Sequence, residues 1–185
     1  MPFRPSAATR GFTLVEMMVT VAIVAIMLAL AAPAMQQFVT QKAVSTSADE
    51  LVSALRFARS EALKRSSPVS ICASKDAAGS GCATSNDLTN GWIIFADRDG
   101  NGAYDSGTDE LLRVRQNLSK QVAGPAATAS SPYIEFVATG MALNAQAFTF
   151  TPLNASGANV ASFTRVVCVN SQGRTNVVSG SGQCN

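Results

Sequence analysis

Four groups of residues in this chain have the types and spacing to do chemistry. The first is Asp97-Arg98-Asp99-Gly100-Asn101-Gly102-Ala103-Tyr104-Asp105. With Asp97 as position one, Asp99, Asn101 and Asp105 fall at three, five and nine, and Gly102 at six. That is the ligand spacing of an EF-hand calcium loop. The twelfth position is Thr108 rather than a bidentate Glu, and Arg98 puts a positive charge inside the loop. Asp, Asn and Gly are also what tight turns select. A structural turn with no metal is therefore the primary reading, and a calcium loop the alternative.

The second group is Cys72, Cys82, Cys168 and Cys184. Four cysteines allow three connectivities, of which the two local bridges Cys72–Cys82 and Cys168–Cys184 are preferred. There is no CxxC spacing and no histidine, which argues against a zinc site. The third group is the turn Asn170-Ser171-Gln172-Gly173-Arg174, which presents an arginine between two β-type runs. The fourth is a single carboxylate, Glu16, at the leading edge of a long apolar segment.

These groups do not make an enzyme. Histidine, the commonest general base, is absent, and so are a nucleophile motif, a phosphate loop and acids paired at a useful spacing. No cofactor is expected. A net charge of +2 is too small to demand a polyanionic partner, so any nucleic-acid binding would rest on a local patch.

The elements that must position these residues begin with the apolar segment. No charged side chain occurs from Met17 to Gln41, and Met17–Ala32 is mostly Met, Val, Ile, Leu and Ala. A helix crossing a bilayer needs about 20 such residues, and a span over about 14–36 is expected. Arg4 and Arg10 precede it without an acid, which keeps that end cytoplasmic and sends the C-terminal part outward. The late cysteines agree with an oxidising compartment there. An ordinary secretory signal carries its small-residue cleavage site after the apolar region. Here the small residue, Gly11, comes before it, so cleavage after Gly11 would leave the helix on the mature chain with Phe12 first.

Gly11-Phe12-Thr13-Leu14-Val15-Glu16, behind a short basic leader and ahead of a long apolar run, resembles the processing motif of type IV pilins and type II secretion pseudopilins. The resemblance implies cleavage between Gly11 and Phe12 by a prepilin peptidase and N-methylation of Phe12. It makes Glu16 the fifth residue of the mature chain. A carboxylate in lipid costs roughly 2.5–3.5 kcal/mol, so such groups have partners or functions. The expected partner is the Phe12 amine of a neighbouring subunit, cationic near neutral pH. Pro33 is read as a bend within the helix rather than its end.

From Ala48 to Arg65 the residues Ala48, Leu51, Val52, Leu55, Ala58 and Ala62 recur at spacings of three and four, an apolar stripe for a soluble domain. Asp49 and Glu50 lie early and Lys64 and Arg65 late, which suits the helix dipole. Leu55-Arg56-Phe57-Ala58-Arg59-Ser60-Glu61-Ala62 is similar to the corresponding element of the GspH/FimT group of minor pilins and pseudopilins. Arg56 and Arg59 read as a solvated helix face.

After Pro68 the helical period is lost. Strands are predicted near Val69–Ala73, Gly91–Ala96, Leu111–Arg115, Tyr133–Ala138, Phe148–Thr151, Arg165–Asn170 and Arg174–Val178. Ala123–Ser131 and Asn154–Ala161 read as surface loops. The expected fold is α+β and pilin-like: a leader at 1–11, a long helix over 12–66, and a β-rich domain over 67–185 with antiparallel sheet packed on the helix. In the FimT branch a C-terminal Gly-Arg-x-Arg element is associated with DNA binding. Gly173 and Arg174 match it, but Asn176 stands where the second arginine would be. Arg165 and Lys120 are the bases that space would have to bring to that patch. The expected role is a minor pilin of a type IV pilus, held in the inner membrane until it joins other pilins in a filament. A type II secretion pseudopilin and a DNA receptor for transformation are the alternatives.

Overall fold

The computed structural model describes residues 11–127, 131–153, 155, 158–180, 182 and 184. The chain divides into two compact units, residues 1–38 and 39–185. Of the leader expected at 1–11, residues 1–10 lie outside the described residues.

The longest element is helix α1, Leu14–Arg65, which runs through Pro33. In the first unit every described residue is exposed, including Leu14, Val15, Met18, Val21, Ile26, Leu28 and Leu30. None of the most apolar 18-residue window is buried. The composition that makes a helix hydrophobic all round is that of a segment meant for lipid or a helix bundle. Thr20, the first hydroxyl within it, donates to Met17 O at 2.9 Å and so meets its hydrogen-bonding need within the helix.

In the second unit the expected stripe is buried: Ala48, Leu51, Val52, Leu55, Ala58 and Ala62, joined by Thr40, Val44, Ser47 and Ala54. Alanines on this face let the sheets come close, and Leu51 and Leu55 fill the space between. The helix ends at Arg65. Ser66 takes a left-handed φ of 51°, and Pro68 follows.

The β part forms two antiparallel sheets. In the first, β1 (Val69–Ala73) lies between β2 (Trp92–Ala96) and β5 (Tyr133–Phe136), with β3 (Glu110–Arg115) and β6 (Ala142–Leu143) at the edges. The second has the order β4 (Val122–Ala127), β7 (Ala147–Pro152), β8 (Arg165–Val169), β9 (Thr175–Ser179). β1 and β2 are buried at every position, which explains why Trp92-Ile93-Ile94-Phe95-Ala96 shows no polar alternation. One face packs on the helix through Ile71, Trp92, Ile94, Ile134 and Phe136. The other gathers Cys72, Ile93 and Phe95 with Tyr104, Val114 and Tyr133.

Two expected loops need correction. Ala123–Ser131 is not all loop, because β4 pairs there with β7. Its small, proline-containing sequence hides a strand that is tolerated at an edge, with the register shifting between Ala123 and Ala126 around Pro125. A Cβ on Gly124 would meet the side chains of Thr89 and Asp87, so the low-complexity composition reflects close packing. Within Asn154–Ala161, helix α2 begins at Ala158 and runs to Phe163, while 154, 156 and 157 lie outside the described residues. Strand β6, only two residues long, carries too little pattern to be read from sequence.

Candidate functional site

At the N-terminus, Gly11, Phe12 and Thr13 precede the first helical residue. A Cβ on Gly11 would meet nothing within 4 Å. Thr13 Oγ1 accepts the backbone N–H of Glu16 at 3.2 Å, so Thr13 is the N-cap of α1 and Glu16 its third residue. Thr13-Leu14-Val15-Glu16 has the spacing of a capping box, a signal already present in the sequence. Glu16 thus has a local role: its carboxylate lies in the first turn, where the helix dipole favours an anion.

The Gly173-Arg174 turn is built differently from the sequence expectation. Gly173 is buried with φ of 72°. A Cβ there would lie 2.2 Å from Gly140 O and 3.1 Å from Arg59 Nε. Arg59 reaches across from α1 and donates through Nη1 to Gly173 O at 3.1 Å, while its Nε is buried without a partner. Arg56 Nε donates to Thr175 Oγ1 at 3.4 Å. Helix and hairpin thus enclose an open groove of about 490 Å³ lined by Arg56, Arg59, Ser60, Leu63, Gly173 and Arg174, together with Thr175. Arg174 and Asn176 are exposed. Arg165 does not join them. It starts β8, four residues from the strand's end or roughly 13 Å away, and its guanidinium is spent on Ser162 O and Thr164 O. Lys120, before β4, is not part of the groove. The cations that accompany Arg174 come from the helix face read as merely solvated, because a contact between residues about 115 apart leaves no local pattern.

The acidic loop covers the outer face of the first sheet. Asp97 is fully buried and accepts four hydrogen bonds: Gly100 N (2.8 Å) and Asn101 N (3.2 Å) on Oδ1, Ser70 Oγ (2.9 Å) and Gly102 N (2.9 Å) on Oδ2. Gly102 has φ of 74° and lies against the Tyr133 ring, so it is fixed by packing as well as by the turn. Asn101 Nδ2 links Asp99 (2.8 Å) and Asp105 (3.0 Å). Asp109, which spacing did not single out, takes Arg98 N and Asp105 N and closes the loop. Three carboxylates meet: Asp97, Asp99 and Asp109 each offer an oxygen within 4.8 Å of the others.

Around the loop's base, Arg65 binds Glu61 at 2.8 Å and Glu110 at 2.9 Å. The hydrogen bond from Arg65 holds both carboxyls below their usual range and, through Glu110 first, raises the guanidinium's own value. Glu135 moves the other way, raised by burial and then by Asp97. Disulfides join Cys72 to Cys82 and Cys168 to Cys184, each with Cα atoms 5.6 Å apart. The first pins the loop after β1, and the second ties β8 to the C-terminal tail.

No curated protein matches the chain. Its fold is similar to that of the type IV minor pilin FimU of Pseudomonas aeruginosa. One crystal form shares 21% identity over 78% of this chain and 95% of that one, with a TM-score of 0.58. A second crystal form shares 21% over 75% and 94%, with a TM-score of 0.55. The minor pseudopilin EpsH of the Vibrio cholerae type 2 secretion system matches at 10% identity over 74% and 96%, with a TM-score of 0.49. A prokaryotic N-terminal methylation motif covers residues 7–32. The model of the type II transport protein GspH covers residues 47–173, well over half of the sequence. With a methylation motif ahead of it, a long helix packed on antiparallel sheets and this match across the domain, the chain belongs to the GspH family of minor pilins and pseudopilins.

Proposed function

We propose that the protein is a minor subunit of a type IV pilus. It is cleaved between Gly11 and Phe12 by a prepilin peptidase, N-methylated on Phe12, and held in the inner membrane by the apolar half of α1 with its β domain in the periplasm. It then moves into the filament. The observation that carries this reading is the exposed helix: residues 11–39 find no burial in their own fold. A largely apolar surface of that length must be covered by lipid before assembly and by neighbouring helices after it. Glu16 is its one charged residue. Its carboxylate would be neutralised by the Phe12 amine of an adjacent subunit, which makes docking selective for processed partners.

Two measurements test the proposal. Mass spectrometry of the protein from its native host should find an N-terminus at methylated Phe12. Glu16→Ala should still insert in the membrane but disappear from sheared filaments. An intact leader, or normal incorporation of the variant, would count against it. The same assembly element serves a secretion pseudopilus. Loss of surface filaments in a deletion strain supports the pilus, and loss of protein secretion with filaments intact supports the other machine. A DNA-uptake role is favoured only by the groove that Arg56, Arg59 and Arg174 line. Few phosphate contacts mean weak binding with a shallow salt dependence. A gel shift at low salt with an Arg174→Ala control tests it.

A further inference from the structure

The loop over residues 97–109 carries a charge that filament assembly does not explain. Oxygens of Asp97, Asp99 and Asp109 lie within 4.8 Å of one another. Two oxygens bound to one calcium ion at 2.3–2.6 Å can be at most about 5 Å apart, so this is the spacing of a shared hard cation. Asp105 is attached to the same cluster through Asn101. The loop's one cation, Arg98, turns outward, its guanidinium 3.6 Å from Glu110.

A second observation comes from outside the loop. Glu135 on β5 is 8% exposed, and its side chain makes no hydrogen bond or ion pair among the described residues. It stands directly opposite Ser70 in the β1–β5 ladder, and Ser70 Oγ donates to Asp97. Opposed residues of an antiparallel pair project from the same face. Glu135 is therefore turned toward the acidic cluster from the sheet side, with Asp97 as its charged neighbour. A carboxylate enclosed this far and set beside another one suffers repulsion that a cation would relieve.

We propose that this loop, closed by Asp109 and backed by Glu135, binds a calcium ion. A carboxylate has about four lone-pair sites. Asp97 has used four, so it shapes the loop and contributes charge. Asp99 and Asp109 each accept two bonds and keep sites for an ion. Asp109 supplies the acid that Thr108 lacks, because the backbone turns on Asp105 O, which accepts both Thr108 N (3.0 Å) and Asp109 N (2.8 Å). An all-oxygen set on an irregular loop suits calcium better than magnesium, which demands a near-octahedral shell and keeps its water.

The test is calorimetric titration of the full chain in detergent with calcium chloride, alongside terbium luminescence sensitised by Tyr104 within the loop. One site is expected, half-saturated at about 10⁻⁴–10⁻³ M as in extracellular modules. At ten times that concentration the folding equilibrium constant should rise roughly tenfold. Asp99 is exposed and bonded only within the loop, so Asp99→Asn should fold normally and lose the site. Glu135→Gln should weaken binding severalfold. No heat and no thermal shift at about 10 mM calcium would overturn the proposal, given that affinity range. So would an equal response from Asp99→Asn, or an equal response to magnesium. These readouts do not depend on filament assembly, so either reading can fail alone.

Discussion

Replacing Gly173 by Ala separates a structural role for the Gly-Arg turn from a ligand-binding one. The residue sits at φ of 72°, which costs an L-residue about 1–2 kcal/mol. The added methyl would lie 2.2 Å from Gly140 O, a backbone atom that cannot swing aside, and 3.1 Å from Arg59 Nε. The hairpin must therefore move away from α1, and the bond from Arg59 Nη1 to Gly173 O at 3.1 Å goes with it. A hydrogen bond from a charged donor is worth about 1.5–3 kcal/mol. Together these terms predict a loss of roughly 3–5 kcal/mol. At about 2–4 °C per kcal/mol for a domain of this size, the melting temperature should fall by roughly 6–20 °C. Arg174→Ala, at an exposed position, should stay within about 0.5 kcal/mol of the parent. The assay is thermal unfolding by circular dichroism of a chain starting at Val39, which retains every residue of the main core. A Gly173→Ala melting temperature within about 2 °C of the parent, where about 6 °C or more is expected, would refute the packing argument.

Three further outcomes are expected. Removing both Cys72 and Cys82 opens a bridge of sequence separation 10 and should cost about 2–3 kcal/mol in urea unfolding, since short loops gain least from closure. Leu55→Ala, at a fully buried position between helix and sheets, should cost about 2–5 kcal/mol, measured the same way. For pH, the Arg65 hydrogen bond lowers the carboxyls of Glu61 and Glu110 from their ordinary 4.5. A lowered folded-state value gives stability that is complete above 4.5 and is lost as pH falls through the lower value. Both groups sit at the surface, so the effect is small. Melting curves at neutral and at acid pH should show Arg65→Ala losing less on acidification than the parent. An identical loss would mean that Arg65 does not set those values.

Much of the architecture could be read from the chain because its signals are local. The apolar run, the three-four stripe from Ala48 to Ala62 and the buried Trp92–Ala96 run each follow from one element's own periodicity. The failures have the same origin. Strand β4 is held by β7 and by the side chains crowding Gly124, so its Ala, Gly and Pro carry no β signal of their own. The division into two sheets is a matter of which edges pair, and no single strand reveals it.

The same holds for the sites. By itself the sequence determined the N-terminal methylation motif and the apolar helix that follows it, because a small residue, one carboxylate and about 20 apolar residues are read from their order along one segment. Tertiary structure alone decided what Gly173 is for and which bases keep Arg174 company. It also decided which carboxylates meet around Asp97. Arg59 reaches Gly173 over 114 residues of chain, and Glu135 pairs with Ser70, whose hydroxyl donates to Asp97. Contacts closed over such separations depend on strand pairing and helix packing, and they leave no periodicity in the chain that makes them.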